Sequence, residues 1–275
     1  MNKTNVFQRI ETKCTDIIEE SPTIKTFVLD CGGDFDFKTG QFVEVGLPGV
    51  GEGPFTPSSS QYEKNPIEIS IMRVGFMTEK IHNIKKGATV TIRGPYGNGY
   101  PLEEFKGKHV LIVGGGVGLA PLRSLLLTLI HDIDEYDGIT VCFGARTPKD
   151  LIYKNQLKEW DKINGLDLHL SVDKVPEDQK WDGKTGVVTT LLKPLSLNLK
   201  NTVAVVCGPP IMMKFSTYTL KEIGFKDRDI YLSMESKMYC GVGLCRHCTI
   251  EKYFVCKDGP VFTYDQFENP EGIWT

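Results

Sequence analysis

Four cysteines, Cys240, Cys245, Cys248 and Cys256, fall within seventeen residues and read C-x4-C-x2-C-x7-C. The first three have the spacing of plant-type [2Fe–2S] ferredoxins, where glycines fold the chain around the cluster, and Gly241 and Gly243 supply them here. Structural zinc is the alternative, but it usually draws on two C-x2-C pairs and only one is present. Clustered thiols in a chain with no secretion signal point to a metal rather than to disulfides. The other four, Cys14, Cys31, Cys142 and Cys207, are dispersed. His247, inside the loop, reads as a hydrogen-bonding or solvent-facing side chain rather than a ligand.

A second set of residues suits nucleotide binding. Gly114-Gly115-Gly116-Val117-Gly118-Leu119-Ala120-Pro121 stands between an apolar run and a helical one. Glycines there let the backbone approach a pyrophosphate, and a helix start offers unpaired N–H groups and a positive dipole end. Pro121 suits a first helical turn. The spacing departs from G-x-G-x-x-G, so position carries the argument, and the plainer alternative is a tight turn with no ligand. Cys207-Gly208-Pro209 and Gly144-Ala145-Arg146 end two further apolar runs, and such strand ends face one crevice in an open α/β sheet. Cys207 would lie beside a nicotinamide or simply be a small buried residue, and Cys142 is expected to be the latter. Arg146 is either an adenosine-phosphate or ribose contact or a solvated side chain. With Lys149 it leaves NADH against NADPH open. Arg73-Val74-Gly75-Phe76-Met77-Thr78 places an arginine at a strand end and Thr78 as a helix N-cap, a second place for a phosphate-bearing ligand.

The elements that must position these groups fall into three segments. Residues 1–105 read as short strands (Ile24–Leu29, Gln41–Val45, Ile67–Ile71, Thr89–Ile92) with turns at Gly32-Gly33, Gly51-Glu52-Gly53 and Lys86-Gly87 and one helix over Thr78–Ile84: an antiparallel barrel. Residues 106–232 alternate continuous apolar strands (His109–Val113, Thr140–Gly144, Leu166–Val172, Thr202–Cys207) with helical stretches at Ala120–His131 and Leu151–Trp160. That alternation predicts an open parallel sheet covered by helices on both faces. Residues 233–275 read as a loop-like, cysteine-bearing module.

Composition narrows the function classes. With 275 residues, 40% apolar and 24% charged, the chain is an ordinary globular protein, and its net charge of −3 without a basic stretch argues against nucleic acid. The most apolar stretch, Val110–Ile130, is broken by glycines, Pro121 and Arg123, so no membrane insertion is expected and the expected location is cytoplasmic.

The order of barrel, nucleotide segment and cysteine module resembles the ferredoxin–NADP reductase superfamily over nearly the full length. The residues that carry it are Gly40-Gln41-Phe42, Pro54-Phe55-Thr56, Arg73–Thr78, Gly94-Pro95-Tyr96-Gly97-Asn98, Gly114–Pro121, Cys207–Met213 and Cys240–Pro260. More narrowly the chain is similar to the superfamily's electron-transfer subunits, namely that of anaerobic sulfite reductase, the sulfhydrogenase gamma subunit and that of dihydroorotate dehydrogenase. The tail Cys256–Phe262 with Tyr96–Pro101 favours the first two. The resemblance implies FAD on the barrel, near Phe55, Thr56, Ser58, Arg73, Val74, Gly75, Met77 and Thr78. It implies NAD(P)H at Gly114, Gly115, Gly116, Val117, Gly118, Ala120, Pro121, Gly144, Arg146, Cys207, Gly208 and Pro209. The family's R-x-Y-S flavin motif falls on Gly53-Pro54-Phe55-Thr56, without its arginine, and Arg246 stands where relatives tend to have glycine. The implied reaction passes electrons from the nicotinamide to the flavin and singly onward through the cluster. The cofactors hold the chemistry, and no side chain is assigned as a catalytic acid or nucleophile, Thr56 and Cys207 being the nearest candidates. No acceptor site is recognisable, so a partner catalytic subunit is expected, of a sulfite reductase first, then a cytoplasmic hydrogenase, then a dihydroorotate dehydrogenase. A zinc-stabilised, colourless nucleotide-binding regulator is the rival from another class.

Overall fold

The computed structural model describes residues 5–274. Its first sheet has six antiparallel strands: β1 Ile10–Ser21, β2 Ile24–Asp30, β3 Phe42–Leu47, β4 Gly51–Phe55, β5 Ile67–Met72 and β6 Thr89–Tyr96, in the order β4-β3-β6-β1-β2-β5. The alternation of β5 explains its seat: Ile67, Ile69 and Ile71 are buried against Phe27, Val43, Val45 and Ile92. Two strands lie outside the sequence expectation. β1 carries little apolar signal because small residues, Thr12 and Cys14, fill its inward positions. The Gly51-Glu52-Gly53 segment, expected as a turn, is strand β4, paired Leu47↔Gly51 and Val45↔Gly53. The turn itself lies at Pro48–Val50, closed by the Val50 N–H on the Leu47 carbonyl. Helix α1 is Phe76–His82, capped by Gly75. Thr78 is therefore not the N-cap: it sits in the first turn, and its Oγ1 accepts the N–H groups of Val74 and Gly75.

The second half contains α2 Leu102–Phe105, β7 His109–Gly115, α3 Leu119–His131, β8 Gly138–Ala145, α4 Lys154–Trp160, β9 Leu166–Val172, β10 Lys184–Thr185, α5 Thr189–Leu192, β11 Thr202–Cys207, α6 Pro210–Ile223 and β12 Ile230–Ser233. The sheet order is β10-β9-β8-β7-β11-β12, all parallel. Alternate residues of β7 enter different cores: Val110 and Ile112 pack with Leu122 of α3 and Leu157 of α4, while Leu111 and Val113 pack with Leu192 of α5 and Leu220 of α6. Both faces are covered, as continuous apolar strands require. The helix expected over Leu151–Trp160 starts only at Lys154. Leu151 and Ile152 are buried ahead of it, and Tyr153, at φ +56°, turns its hydroxyl to Ser70 of the barrel. Burial here overrides the helical period.

The C-terminal segment is more ordered than its loop-like sequence suggests. It contains β13 Thr249–Ile250, β14 Tyr253–Phe254, α7 Val255–Asp258 and β15 Val261–Thr263, and β15 pairs antiparallel with β12 to complete a seven-stranded sheet. No helix among the described residues is long and apolar enough to cross a membrane.

Candidate functional site

The carboxyl ends of β7 and β11 lie side by side, Cys207 opposite Gly114, where the strand order reverses. This is the topological switch point at which open parallel sheets bind ligands. A Cβ on Gly118 would stand 2.5 Å from the Cys207 carbonyl oxygen and 2.6 Å from the Gly208 Cα, so only glycine lets the turn close against β11. Opposite stands the rim of the barrel formed by its two edge strands, β4 and β5. A cleft of about 230 Å³ separates the two. Its apolar walls include Phe42, Phe55, Met72 and Val74 from the barrel, Val117, Ala120 and Pro121 from the turn, and Met234, Met238 and Pro260 from the C-terminal segment. The polar groups are few: Thr56, Ser70, Thr78, Cys207, Ser233, Glu235 and Ser236. Apolar walls with a few placed hydroxyls suit a planar aromatic ligand with a polar edge. Burial pushes the Cys207 thiol up, so it stays protonated, while Glu235 is shifted only in the same upward direction by partial desolvation and stays exposed to solvent.

The sequence-predicted residues divide. Phe55, Thr56, Val74 and Thr78 share the cleft with Val117, Ala120, Pro121 and Cys207. Ser58 does not line it: the residue is fully buried in the seam between barrel and parallel sheet, its hydroxyl 3.2 Å from Ser70 Oγ and its carbonyl accepting from Arg123 Nη1 at 2.8 Å. Met77 packs against the barrel core, Gly75 serves as helix cap, and Arg73 is exposed at the end of β5. Gly114, Gly115, Gly116, Gly208 and Pro209 form the strand ends and turns bordering the cleft. Gly144 has a packing reason of its own, since a Cβ there would stand 2.9 Å from Val188 Cβ. Arg146 is exposed just past β8, and Lys149 is tied to Asp178 at 2.6 Å. Sequence reasoning missed the segment Ser233–Met238. The strand-end rule would have found it had β12 been recognised.

The cysteine loop presents main-chain amides to its sulfurs. The N–H groups of Val242 and Leu244 approach Cys240 Sγ at 3.4 and 3.2 Å, and that of Gly243 approaches Cys256 Sγ at 3.1 Å. Cys245 N–H lies 3.5 Å from Cys240 Sγ, and Cys256 N–H lies 3.5 Å from Cys248 Sγ. The His247 amide holds the Cys245 thiol below its ordinary range, whereas burial and the neighbouring Cys248 push the Cys256 thiol up to about 12. This donor set fits a thiolate-bound metal centre, although among the described residues no three His, Cys, Asp or Glu side chains converge on one metal-sized point. Gly241 and Gly243 have φ of +77° and +76°, as the expected folding of the loop requires. Arg246 also lies in the left-handed region, at φ +60°, a backbone conformation that glycine adopts without strain. His247 is exposed, its Nδ1 3.1 Å from the Cys245 carbonyl. Asn98 ties the end of the loop to the barrel. Its N–H donates to the Gly259 carbonyl at 2.6 Å, and its side-chain amide donates to the carbonyls of Asp258 and Val261.

Comparison with known proteins agrees with these three parts. Residues 11–100 match the oxidoreductase FAD-binding domain, 112–217 the oxidoreductase NAD-binding domain, and 235–268 the iron–sulfur cluster binding domain of dihydroorotate dehydrogenase B. Sulfhydrogenase 1 subunit gamma of Pyrococcus furiosus is 36% identical over 241 residues, 86% of this chain and 82% of that one. A probable dihydroorotate dehydrogenase B (NAD(+)) electron transfer subunit of Methanocaldococcus jannaschii is 39% identical over 256 residues, covering 92% and 89%. Among solved structures, a chain of an NADH-dependent reduced ferredoxin-NADP oxidoreductase superposes with a TM-score of 0.73 at 25% identity, over 98% of this chain and 97% of that one. The chain thus belongs to the ferredoxin–NADP reductase-like family of FAD- and NAD-binding oxidoreductases, with an iron–sulfur cluster binding domain at its C-terminal end.

Proposed function

We propose that the chain is an electron-input subunit, oxidising NAD(P)H at an FAD held on the barrel and passing single electrons to the catalytic subunit of a larger redox complex. The route out is a [2Fe–2S] cluster held by Cys240, Cys245, Cys248 and Cys256. The observation that carries this reading is one cleft with Phe55 and Thr56 on one wall and Val117 and Cys207 on the other, reaching Met238, two residues before Cys240. Three working units follow: residues 1–105 for FAD, 106–232 for NAD(P), and 233–275 for the cluster. The C-x4-C-x2-C spacing, with only one C-x2-C pair, supports two irons rather than a single zinc.

When bound, FAD supplies the conversion between two-electron and one-electron chemistry. The chain's own residues supply placement. The Phe55 ring and Thr56 hydroxyl bound the flavin side, and the Gly116–Gly118 turn with Gly208 leaves main chain free to approach the nicotinamide cofactor. Arg146 meets its adenosine end. Met234 and Met238, both buried, exclude water from the cleft. The arginine missing from the Gly53–Thr56 motif leaves Arg73, exposed at the rim, as the cation for the FAD diphosphate.

For the acceptor, the Cys256–Phe262 tail and Tyr96–Pro101 support an anaerobic sulfite reductase or a hydrogenase over a dihydroorotate dehydrogenase; sulfite reductase is the first reading, and the sulfhydrogenase gamma relatives support a hydrogenase as the second. The test is anaerobic purification with iron, zinc and flavin analysis and a visible spectrum before and after NADH. About two irons and one FAD per chain, with bleaching, are expected; a colourless chain with one zinc would overturn the reading. Partners captured under the same conditions, assayed for NADH-dependent sulfite reduction and for hydrogen evolution, separate the two acceptors.

A further inference from the structure

Arg93, on β6, is buried, and its donors serve two parts of the chain. Within the barrel, Nε and Nη2 donate to Glu52 Oε1 at 3.0 and 2.6 Å, and Nη1 donates to the Tyr96 hydroxyl at 3.0 Å. Across the seam, Nη1 donates to the Cys240 carbonyl at 2.9 Å and Nη2 to the Tyr239 carbonyl. A guanidinium has five donors in a rigid fork: Glu52 takes two and pairs the charge, the Tyr96 hydroxyl takes one, and the Tyr239 and Cys240 carbonyls take the remaining two. Tyr96, held by the same group, packs on Phe42 with ring centroids 5.6 Å apart, and Phe42 lines the cleft. On its other side Tyr96 lies so close to Gly241 that a Cβ there would stand 2.7 Å from the ring. Cleft, Phe42, Tyr96 and the Cys240–Gly241 peptide are therefore in continuous contact, and Arg93 fixes the last step.

We propose that Arg93 is a positioning residue for electron transfer, pinning the Tyr239–Cys240 main chain to the barrel and so setting the distance and packing between the flavin cleft and the cysteine loop. The proposal rests on the cofactor placement of the preceding subsection. Electron tunnelling falls steeply with distance and with gaps in packing, so a loop released from this clamp loses rate while both cofactors stay bound. The clamp also orients the peptide that leads into the amides aimed at Cys240 Sγ, and hydrogen bonds to sulfur tune a cluster's electronic properties.

The test uses the full chain purified with its cofactors, as wild type, Arg93→Gln and Arg93→Lys. Lysine keeps the charge opposite Glu52 but cannot span both carbonyls, so it carries the test should the glutamine variant fold poorly. Four quantities are measured: iron and flavin per chain, amide hydrogen exchange across residues 238–246, the electron paramagnetic resonance spectrum of the reduced cluster, and the rate of flavin-to-cluster transfer after rapid mixing with NADH. The expected result is wild-type iron and flavin, faster exchange in the loop, an altered resonance and a transfer rate slowed about tenfold or more, less in the lysine variant. Loaded variants with wild-type exchange, resonance and rate overturn the proposal alone. A wild-type chain that holds flavin or cluster nowhere overturns the underlying reading and this proposal with it.

Discussion

Glu44 offers a direct test of the barrel's electrostatics. It sits on β3 opposite Arg93 of β6, its side chain has no exposure to solvent, and neither carboxylate oxygen has a hydrogen-bond partner. Arg93 Nη2 is 3.9 Å away but is committed to Glu52 at 2.6 Å. Burial, opposed by Arg93 and aided by Glu52 and Cys240, raises the Glu44 carboxyl from 4.5 to about 8. The sign follows. Between these values the unfolded chain has released a proton that the folded chain keeps, so stability falls as pH rises, by about 1.4 kcal/mol per unit. The contribution is complete below 4.5 and lost through about 8, a swing of the order of 5 kcal/mol at full separation. Glu44→Gln removes the titration. Its extra buried N–H groups add a cost, but a pH-independent one, and every other titrating group cancels in the difference between the two proteins. Thermal unfolding of both, cofactors bound, from pH 5 to pH 8.5 is the assay. At about 2 °C per kcal/mol for a chain of this size, the variant should gain roughly 5–10 °C relative to wild type across the range. A pH-independent difference, or a wild type that gains with pH, would show Glu44 ionised and paired with Arg93, and would refute its assignment as a neutral buried acid.

Three further outcomes follow from the geometry. Gly118→Ala pushes a Cβ to 2.5 Å from the Cys207 carbonyl, and NADH reduction of the flavin should slow at least about tenfold at unchanged flavin content; stopped-flow rates equal to wild type would show that the turn does not form the nicotinamide site. Cys256→Ser, removing a sulfur that accepts the Gly243 N–H, should lose most of the iron while keeping the flavin bands, and full iron retention would place the fourth ligand elsewhere. Arg123→Met strips the buried seam of its 2.5 Å pair with Glu68 and its bond to the Ser58 carbonyl, and denaturant unfolding should report a loss of about 3 kcal/mol. A loss under about 0.5 kcal/mol would mark that pair as dispensable.

The sequence discloses the parallel sheet well because strands buried on both faces read as unbroken apolar runs: His109–Val113 and Thr202–Cys207 need no tertiary knowledge. It discloses the iron–sulfur binding segment because cysteine spacing is local chemistry. It fails where a residue answers to a neighbour remote in sequence. Thr12 and Cys14 look like surface, yet they fill the inside of a long strand. Gly51–Gly53 looks like a turn, yet it is paired with β3 through Val45 and Leu47, and Gly51 at φ +139° marks the entry to the strand rather than a turn of its own. Leu151–Tyr153 has a helical period, but Tyr153 is held out of the helix by Ser70 and by Glu20, which accepts its N–H. Ser58 carries a hydroxyl near the flavin motif, yet its role is fixed by an arginine 65 residues away. Such positions are legible only once the domains are placed against each other.

The seams share one device, which bears on what the chain must do. Arg123 of α3 donates to the Ser58 carbonyl of the barrel, Arg93 of the barrel to the Cys240 carbonyl of the cysteine loop, and Asn98 to the carbonyls of Asp258 and Val261. In each case a side chain fills a main-chain acceptor of the neighbouring unit, where a pair of long side chains would leave both ends free to drift. A main-chain acceptor has no side-chain torsions of its own, so these bonds constrain orientation as well as contact. An enzyme that closes on its substrate needs weak, reformable seams of the opposite kind. A chain that hands electrons between two bound centres gains nothing from closure, and each increase in separation slows transfer. Seams bonded in this way at both borders of the barrel suit the proposed relay, which needs the distance between the flavin cleft and the cysteine loop held constant while the nicotinamide cofactor and the partner come and go.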